Sequence, residues 1–166
     1  MKIDRVIVGV LDTNCYIISK NNKCIVIDPG DEFEKINKVI DNKDIVAIIV
    51  THYHFDHIGA LKYFDNDLIL DRSNLQEKEY NFDDFKFEVI YTPGHKEDSI
   101  TIYFKEENVM FTGDFIFKGS IGRTDLEGGN IKDMINSLNK ISKYNSSIIV
   151  YPGHGDKTTL SLELIY

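Results

Sequence analysis

The sequence predicts a mixed α/β (α+β) fold, one domain over residues 1–166 with a sheet-rich core and helices outside it. Three observations lead there. The length of 166 residues suits one core of good size. Short β-branched runs alternate with helically spaced stretches in both halves of the chain, the order expected of strands and helices packed in layers. No Pro/Ser-rich linker, low-complexity tract or internal repeat divides the chain.

Each element follows from local pattern. Apolar, β-branched stretches at 3–10, 14–19 and 23–28 read as strands, the last stopped by the turn signal Asp28-Pro29-Gly30. Phe33, Ile36, Val39 and Ile40 have helical spacing over 32–41, with Asp31 placed as the N-cap. The unbroken run Ile45-Val46-Ala47-Ile48-Ile49-Val50 predicts a strand buried on both faces. Ile58, Leu61 and Phe64 predict a helix over 56–64, and Leu68-Ile69-Leu70 a short strand. The alternation of Phe85, Phe87, Val89 and Tyr91 predicts one strand over 82–91, ending at Thr92-Pro93-Gly94. Residues 99–104 and 108–112 read as a hairpin across Lys105-Glu106-Glu107. Ile131, Met134, Ile135, Leu138 and Ile141 predict a helix over 130–143. A final strand, 147–151, stops at Pro152-Gly153.

Composition narrows the function classes. Lys and Arg number 19 against 27 Asp and Glu, a net charge of -8, whereas a nucleic-acid binder needs a basic face. No run reaches the ~18 apolar residues of a membrane span. Asp4 and Arg5 interrupt the apolar N-terminus and no small-residue cleavage site follows, so it does not read as a signal peptide. The expectation is a cytoplasmic protein acting on a small-molecule substrate, without nucleic acid or membrane. Cys15 and Cys24 are too few for a disulfide framework; one bridge across a hairpin is open to them, but the preferred reading is buried free thiols.

The chemistry concentrates in Thr51-His52-Tyr53-His54-Phe55-Asp56-His57, directly after the apolar run at 45–50. Imidazole and carboxylate are the usual ligands of zinc and similar divalent ions, and alternation at a strand end points His52 and His54 the same way. The two remaining histidines of the five, His95 and His154, each follow a strand and a Pro-Gly turn. Every histidine of the chain therefore sits in a strand-end loop, where a rigid scaffold presents ligands. Asp114 closes Phe111-Thr112-Gly113-Asp114 in the same way, and its two oxygens can serve two ions. Tyr53 and Phe55, between the ligands, either shape the pocket or pack.

Together the run His52-x-His54-x-Asp56-His57, His95, Asp114 and His154 resembles the metallo-β-lactamase fold superfamily. The likeness runs from Asn14-Cys15-Tyr16 and Asp28-Pro29-Gly30 through Pro152-Gly153-His154-Gly155. Gly119-Ser120-Ile121-Gly122-Arg123-Thr124-Asp125, Gly128-Gly129 and Thr158-Thr159-Leu160 look like the short glyoxalase II-like (hydroxyacylglutathione hydrolase-like) hydrolases. The resemblance implies a four-layer αββα sandwich with metals at one edge. It implies one ion on His52, His54 and His95, a second on Asp56, His57 and His154, and Asp114 between them. It further implies thioester hydrolysis by a hydroxide shared between the ions, with Asp56 and Asp114 in catalytic roles. Two divalent ions are expected, zinc by default, with iron and manganese also fitting such ligands. Lys118 and Arg123 are candidates for binding substrate anions. The C-terminal helical domain with which full-length glyoxalase II enzymes hold glutathione has no counterpart in these residues, which weighs against S-lactoylglutathione as the substrate.

Other readings of the same residues stay open. A persulfide dioxygenase would use a single iron at His52, His95 and Asp114. A hydrolase of another ester, such as a lactone or phosphodiester, would use the same ligand set. A metal-binding protein without catalysis is a fourth reading.

Overall fold

A computed structural model describes residues 1–164. Two sheets pack face to face. The first contains β1 (Lys2–Val8), β2 (Thr13–Lys20), β3 (Lys23–Ile27), β4 (Asp44–Ile49) and β5 (Ile69–Leu70), in that order across the sheet. β1 to β3 pair antiparallel, while β3, β4 and β5 run parallel. The second contains β6 (Glu79–Phe82), β7 (Phe85–Tyr91), β8 (Ile100–Phe104), β9 (Val109–Gly113), β12 (Ile149–Pro152) and β13 (Thr158–Thr159), with β12 parallel to β9 and the other pairs antiparallel. β10 (Ile116–Phe117) and β11 (Ser120–Ile121) form a small hairpin between them in sequence.

Strand alternation sorts the apolar side chains into three layers. Tyr16, Ile18, Ile25, Ile27, Ala47 and Ile49 of the first sheet meet Phe87, Val89, Ile102, Phe104 and Phe111 of the second. Phe87, Phe104 and Phe111 are each 1% exposed, and full burial of such a side chain is worth about 1.5–3 kcal/mol. The opposite faces are covered by helices. Cys15, Ile17, Cys24 and Val26 pack with Ile36 and Ile40 of α1 (Phe33–Ile40). After the single turn α2 (Phe55–Ile58), α3 (Ile131–Ile141) lays Met134 and Ile141 on Ile90, Met110, Ile148 and Val150. The layers are therefore α, β, β, α. Cys15 and Cys24 are buried and free. Among the described residues no helix is long and apolar enough to cross a membrane.

Several local expectations are corrected. Asp31 does not cap α1: its Oδ1 accepts only from Glu32 N, and Glu32 occupies the cap position in the left-handed region without a side-chain cap bond. The predicted helix at 56–64 breaks after one turn. Gly59 packs its backbone on that of Gly30, and Gly30 packs on the carbonyl of Asp56. Ala60 N then donates to Pro29 O at 2.9 Å instead of to Asp56 O, and only a 3-10 turn, Leu61–Tyr63, follows. The segment 82–91 is not one strand. Asp83, with φ 51°, turns the chain so that Phe82 faces Phe85 in a tight β6–β7 hairpin. The short polar pieces β11 and β13, and the last turn α4 (Leu160–Glu163), carried too little apolar pattern to be expected.

Candidate metal centre

The ligand loops leave both sheets at one edge of the sandwich. His52, His54, Asp56 and His57 follow β4, while His95, Asp114 and His154 follow β7, β9 and β12. The seven side chains converge in two groups. His52, His54 and His95 form one, and Asp56, His57, Asp114 and His154 the other, with the ligand atoms of each within 4.8 Å of one another. Asp114 stands between them. Its Oδ2 lies 3.8 Å from His52 Nε2, 3.6 Å from His95 Nε2 and 3.3 Å from His154 Nε2. Its Oδ1 lies 3.2 Å from His57 Nε2. Asp56 Oδ2 is 3.3 Å from His57 Nε2 and 3.2 Å from His154 Nε2.

Behind the ligands, hydrogen bonds fix which imidazole nitrogen is free. Asp28, 1% exposed at the end of β3, takes three bonds. Its Oδ1 accepts from Thr51 N at 2.8 Å, and its Oδ2 accepts from Thr51 Oγ1 at 2.7 Å and from His57 Nδ1 at 2.8 Å. Thr51 has given its hydroxyl hydrogen to Asp28, so its Oγ1 accepts from His52 Nδ1 at 3.1 Å. His95 Nδ1 donates to Arg123 O at 2.8 Å, and His154 Nδ1 to Leu11 O at 3.0 Å. In all four rings Nε2 is the nitrogen left facing the cluster, the arrangement that orients metal-binding histidines. His54 meets the group through Nδ1, 3.0 Å from His95 Nε2. His52 Nε2, His57 Nε2 and Asp114 Oδ1 are buried without a hydrogen-bond partner among the described residues. Orphaned buried polar atoms are costly. That three of them lie within the cluster fits divalent cations there, and the imidazole and carboxylate donor set fits zinc or iron.

The two groups differ electrically. Burial, then the charges of His57 and the other histidines, pushes the His52 pKa well below its usual value despite Asp114. Burial, then His95 and Lys96, lowers that of His54. In the other group burial is outweighed. The carboxylates of Asp28 and Asp114 raise His57 to about 10, and those of Asp114 and Asp56 raise His154 to about 10. Burial works against Asp56 too, yet His154, His57 and the hydroxyl of Thr13 bring it down to about 2. His154 and His57 likewise hold Asp114 far below the usual carboxylate range against its burial.

The remaining candidates fall around this centre. Arg123 is exposed, and its Nε and Nη2 donate to the carboxylate of Asp125 at 2.7 and 2.8 Å, while its carbonyl serves His95. Lys118 is exposed on the turn between β10 and β11. Tyr53 donates its hydroxyl to Asp71 Oδ2 at 2.6 Å. Phe55 does not pack: it is 71% exposed, on a cleft that Asp56, Val10 and Leu11 also line. Sequence reasoning missed Asp28 and Thr51 as anchors. Asp28 read as a turn residue and Thr51 as a neighbour, and the one available signal was their position at the ends of two adjacent parallel strands.

Comparison with known proteins follows the same lines. A model described as "Metallo-beta-lactamase superfamily" matches residues 8–72 and 66–154. The chain is 33% identical to the probable metallo-hydrolase YqgX of Bacillus subtilis (strain 168), over 98% of this chain and 94% of that protein. It is 32% identical to the hydroxyacylglutathione hydrolase GloC of Haemophilus influenzae, over 98% and 95%. The structure superposes on that of BLEG-1 B3 metallo-beta-lactamase with a TM-score of 0.91 at 29% identity, over 99% of this chain and 97% of that one. It superposes on TTHA1623 in a di-iron-bound form with a TM-score of 0.87 at 30% identity, over 96% of each. In fold, in sequence and in the order of its clustered histidines and aspartates, the chain belongs to the metallo-beta-lactamase superfamily.

Proposed function

We propose that the protein is a binuclear metallohydrolase that cleaves a small-molecule thioester in the cytoplasm. The observation that carries the metal centre is the convergence of seven side chains into two adjoining groups around Asp114. Likeness to GloC, a hydroxyacylglutathione hydrolase, supports the thioester class. Two free buried thiols suit a reducing compartment.

His52, His54 and His95 would hold one divalent ion and Asp56, His57 and His154 the other, with Asp114 between the two groups. Zinc is the expected metal for so nitrogen-rich a set, and the di-iron form of TTHA1623 makes iron the alternative to test. Such ions, when bound, lower the pKa of water towards ~7 and polarise a carbonyl. The chain supplies the rest. Asp56, kept ionised by its neighbours, is an acceptor that orients a water beside the substrate, and Thr13 Oγ1 holds its Oδ2 at 2.9 Å. The leaving group is a thiolate. Free thiols have a pKa of ~8.5, so no side chain need protonate it. Lys118 and Arg123 lie on the loop beyond Asp114, and Arg123 meets an acidic substrate by exchanging its bond to Asp125.

Elemental analysis of protein purified without added metal, followed by a panel of thioesters, lactones and phosphodiesters, tests this reading. Two divalent ions per chain and turnover confined to thioesters are expected. One iron per chain with oxygen uptake on a persulfide would replace the hydrolase by a mononuclear dioxygenase.

A further inference from the structure

The stretch Asn14-Cys15-Tyr16 belongs to no ligand set, yet it opens β2 against the loop that carries His154. Asn14 is 1% exposed. Its N donates to Gly153 O at 2.8 Å, and its Nδ2 donates to Pro152 O at 3.0 Å and Gly155 O at 2.8 Å. Tyr16, 2% exposed, donates its hydroxyl to Pro152 O at 2.6 Å. The backbone on both sides of His154 is thus held by two side chains of the other sheet. Its Nδ2 also donates to Tyr16 Oη at 3.1 Å, and turned over the amide would set its oxygen against the carbonyls of Pro152 and Gly155. Thr13 forms an isolated antiparallel bridge with His154 and donates Oγ1 to Asp56 Oδ2. Leu11 O accepts from His154 Nδ1.

Between their inner faces the sheets meet through apolar side chains, a contact with no directional preference. Beside His52 the directional bonds between the two halves run through other residues, Ile100 N to Thr51 O at 2.9 Å and Tyr53 N to Asp98 Oδ2 at 3.0 Å; beside His154 they come from this segment and from Arg5, whose Nη1 donates to Gly155 O at 2.9 Å. The bonds of this segment reach His154 and Asp56, one ligand from each sheet and both from the same group. They reach none of His52, His54 and His95.

We infer that residues 11–16 are a positioning strap for the Asp56–His57–Asp114–His154 half of the centre, with Asn14 as its main fastening. The inference rests on the metal-centre reading above. The strap sets how well the second ion is held and leaves the first alone.

The experiment titrates metal-free protein with Co²⁺, reading two binding constants by calorimetry and visible spectra, for wild type, Asn14→Leu and Tyr16→Phe. Asn14→Leu removes the amide at similar volume. Tyr16→Phe removes a single hydroxyl and keeps the fold should the first variant not survive. The expected result is a second-ion affinity about 100-fold weaker in Asn14→Leu and about tenfold weaker in Tyr16→Phe, the range found for outer partners of metal ligands. The first-ion constant stays within about twofold, inside the spread of such contributions. In metal-free protein the Nδ1–H signal of His154 in long-range ¹H–¹⁵N spectra is lost in Asn14→Leu, while that of His52 remains. Two wild-type constants in both variants, or equal loss of both constants in a protein with intact circular dichroism, overturns the strap. Failure of wild type to bind two ions overturns the metal-centre reading instead, and the His154 signal then decides the strap by itself: its persistence in Asn14→Leu overturns it.

Discussion

Asp28→Asn is the sharpest test of how the centre is held. The carboxylate accepts three hydrogen bonds, from Thr51 N, Thr51 Oγ1 and His57 Nδ1. An amide keeps one acceptor. If its oxygen stays on Thr51 N, its NH₂ faces Thr51 Oγ1 and His57 Nδ1, two groups that were donors. His57 must then accept at Nδ1 and carry its proton on Nε2. Thr51 accepts from the amide and turns its hydroxyl to His52 Nδ1, which moves the His52 proton to Nε2 as well. One substitution therefore blocks one ligand nitrogen in each group. Loss of an outer partner costs about 10–100-fold in metal affinity, or about 1.4–2.7 kcal/mol per ion. Calorimetric titration of metal-free protein should show both constants weakened by that amount, and the ¹⁵N shifts of His52 should exchange an Nδ1–H for an Nε2–H pattern. Thr51→Val, which cuts the path to His52 alone, should weaken only the first ion. Wild-type constants in Asp28→Asn, or a loss confined to one ion, would refute the relay.

Three further expectations follow from the same geometry. His57 and His154, both raised to about 10, are protonated at pH 8 in metal-free protein, and ligation needs them neutral. Loading the second group should release about two protons per chain, measured by calorimetry in buffers of different ionisation enthalpy; release of none would contradict the assignment. The sign for stability is fixed too: metal-free protein keeps this contribution below the unfolded histidine value of ~6.5 and loses it as pH rises through the folded value of about 10. Gly59→Ala sets propensity against packing. Alanine favours a helix by about 1 kcal/mol, but here its Cβ meets Gly30 O. Overpacking of backbone on backbone at about 3 kcal/mol leaves a net loss of about 2 kcal/mol that should lower Tm by roughly 4–8 °C, and a raised Tm would show that the loop gives way. Arg123→Ala should leave metal content and Tm unchanged, because the carbonyl and not the guanidinium holds His95. It should raise KM for acidic thioesters more than for neutral ones, and equal rises would remove Arg123 from substrate binding.

The seven residues that converge were legible in the sequence because their chemistry is rare and their loops are marked. Three histidines and an aspartate after an apolar run, and two histidines after Pro-Gly turns, identify themselves without knowledge of contacts. β4 and α3 were legible for the same reason that they exist, an apolar pattern with one period. What was hidden depends on residues far apart in the chain. Asp28 acts on His57 across 29 positions, and Asn14 on Gly155 across 141. The early end of α2 is set by Gly30 touching Gly59, which no local propensity encodes. The split of 82–91 rested on one aspartate adopting a left-handed turn where alternation read straight through.

The division of the ligands between the two sheets carries one more consequence. The first sheet is made from residues 2–70 and the second from 79–159, so each half of the chain supplies an incomplete set. His52, His54, Asp56 and His57 come from the first half, and His95, Asp114 and His154 from the second. An ion held by both would be a rivet between two consecutive stretches of chain. Parting the sandwich would then also release the metal, and free metal at 100 times its Kd would add about 2.7 kcal/mol against that opening. On the proposed reading, the durability of the folded protein would depend partly on the ion concentration around it.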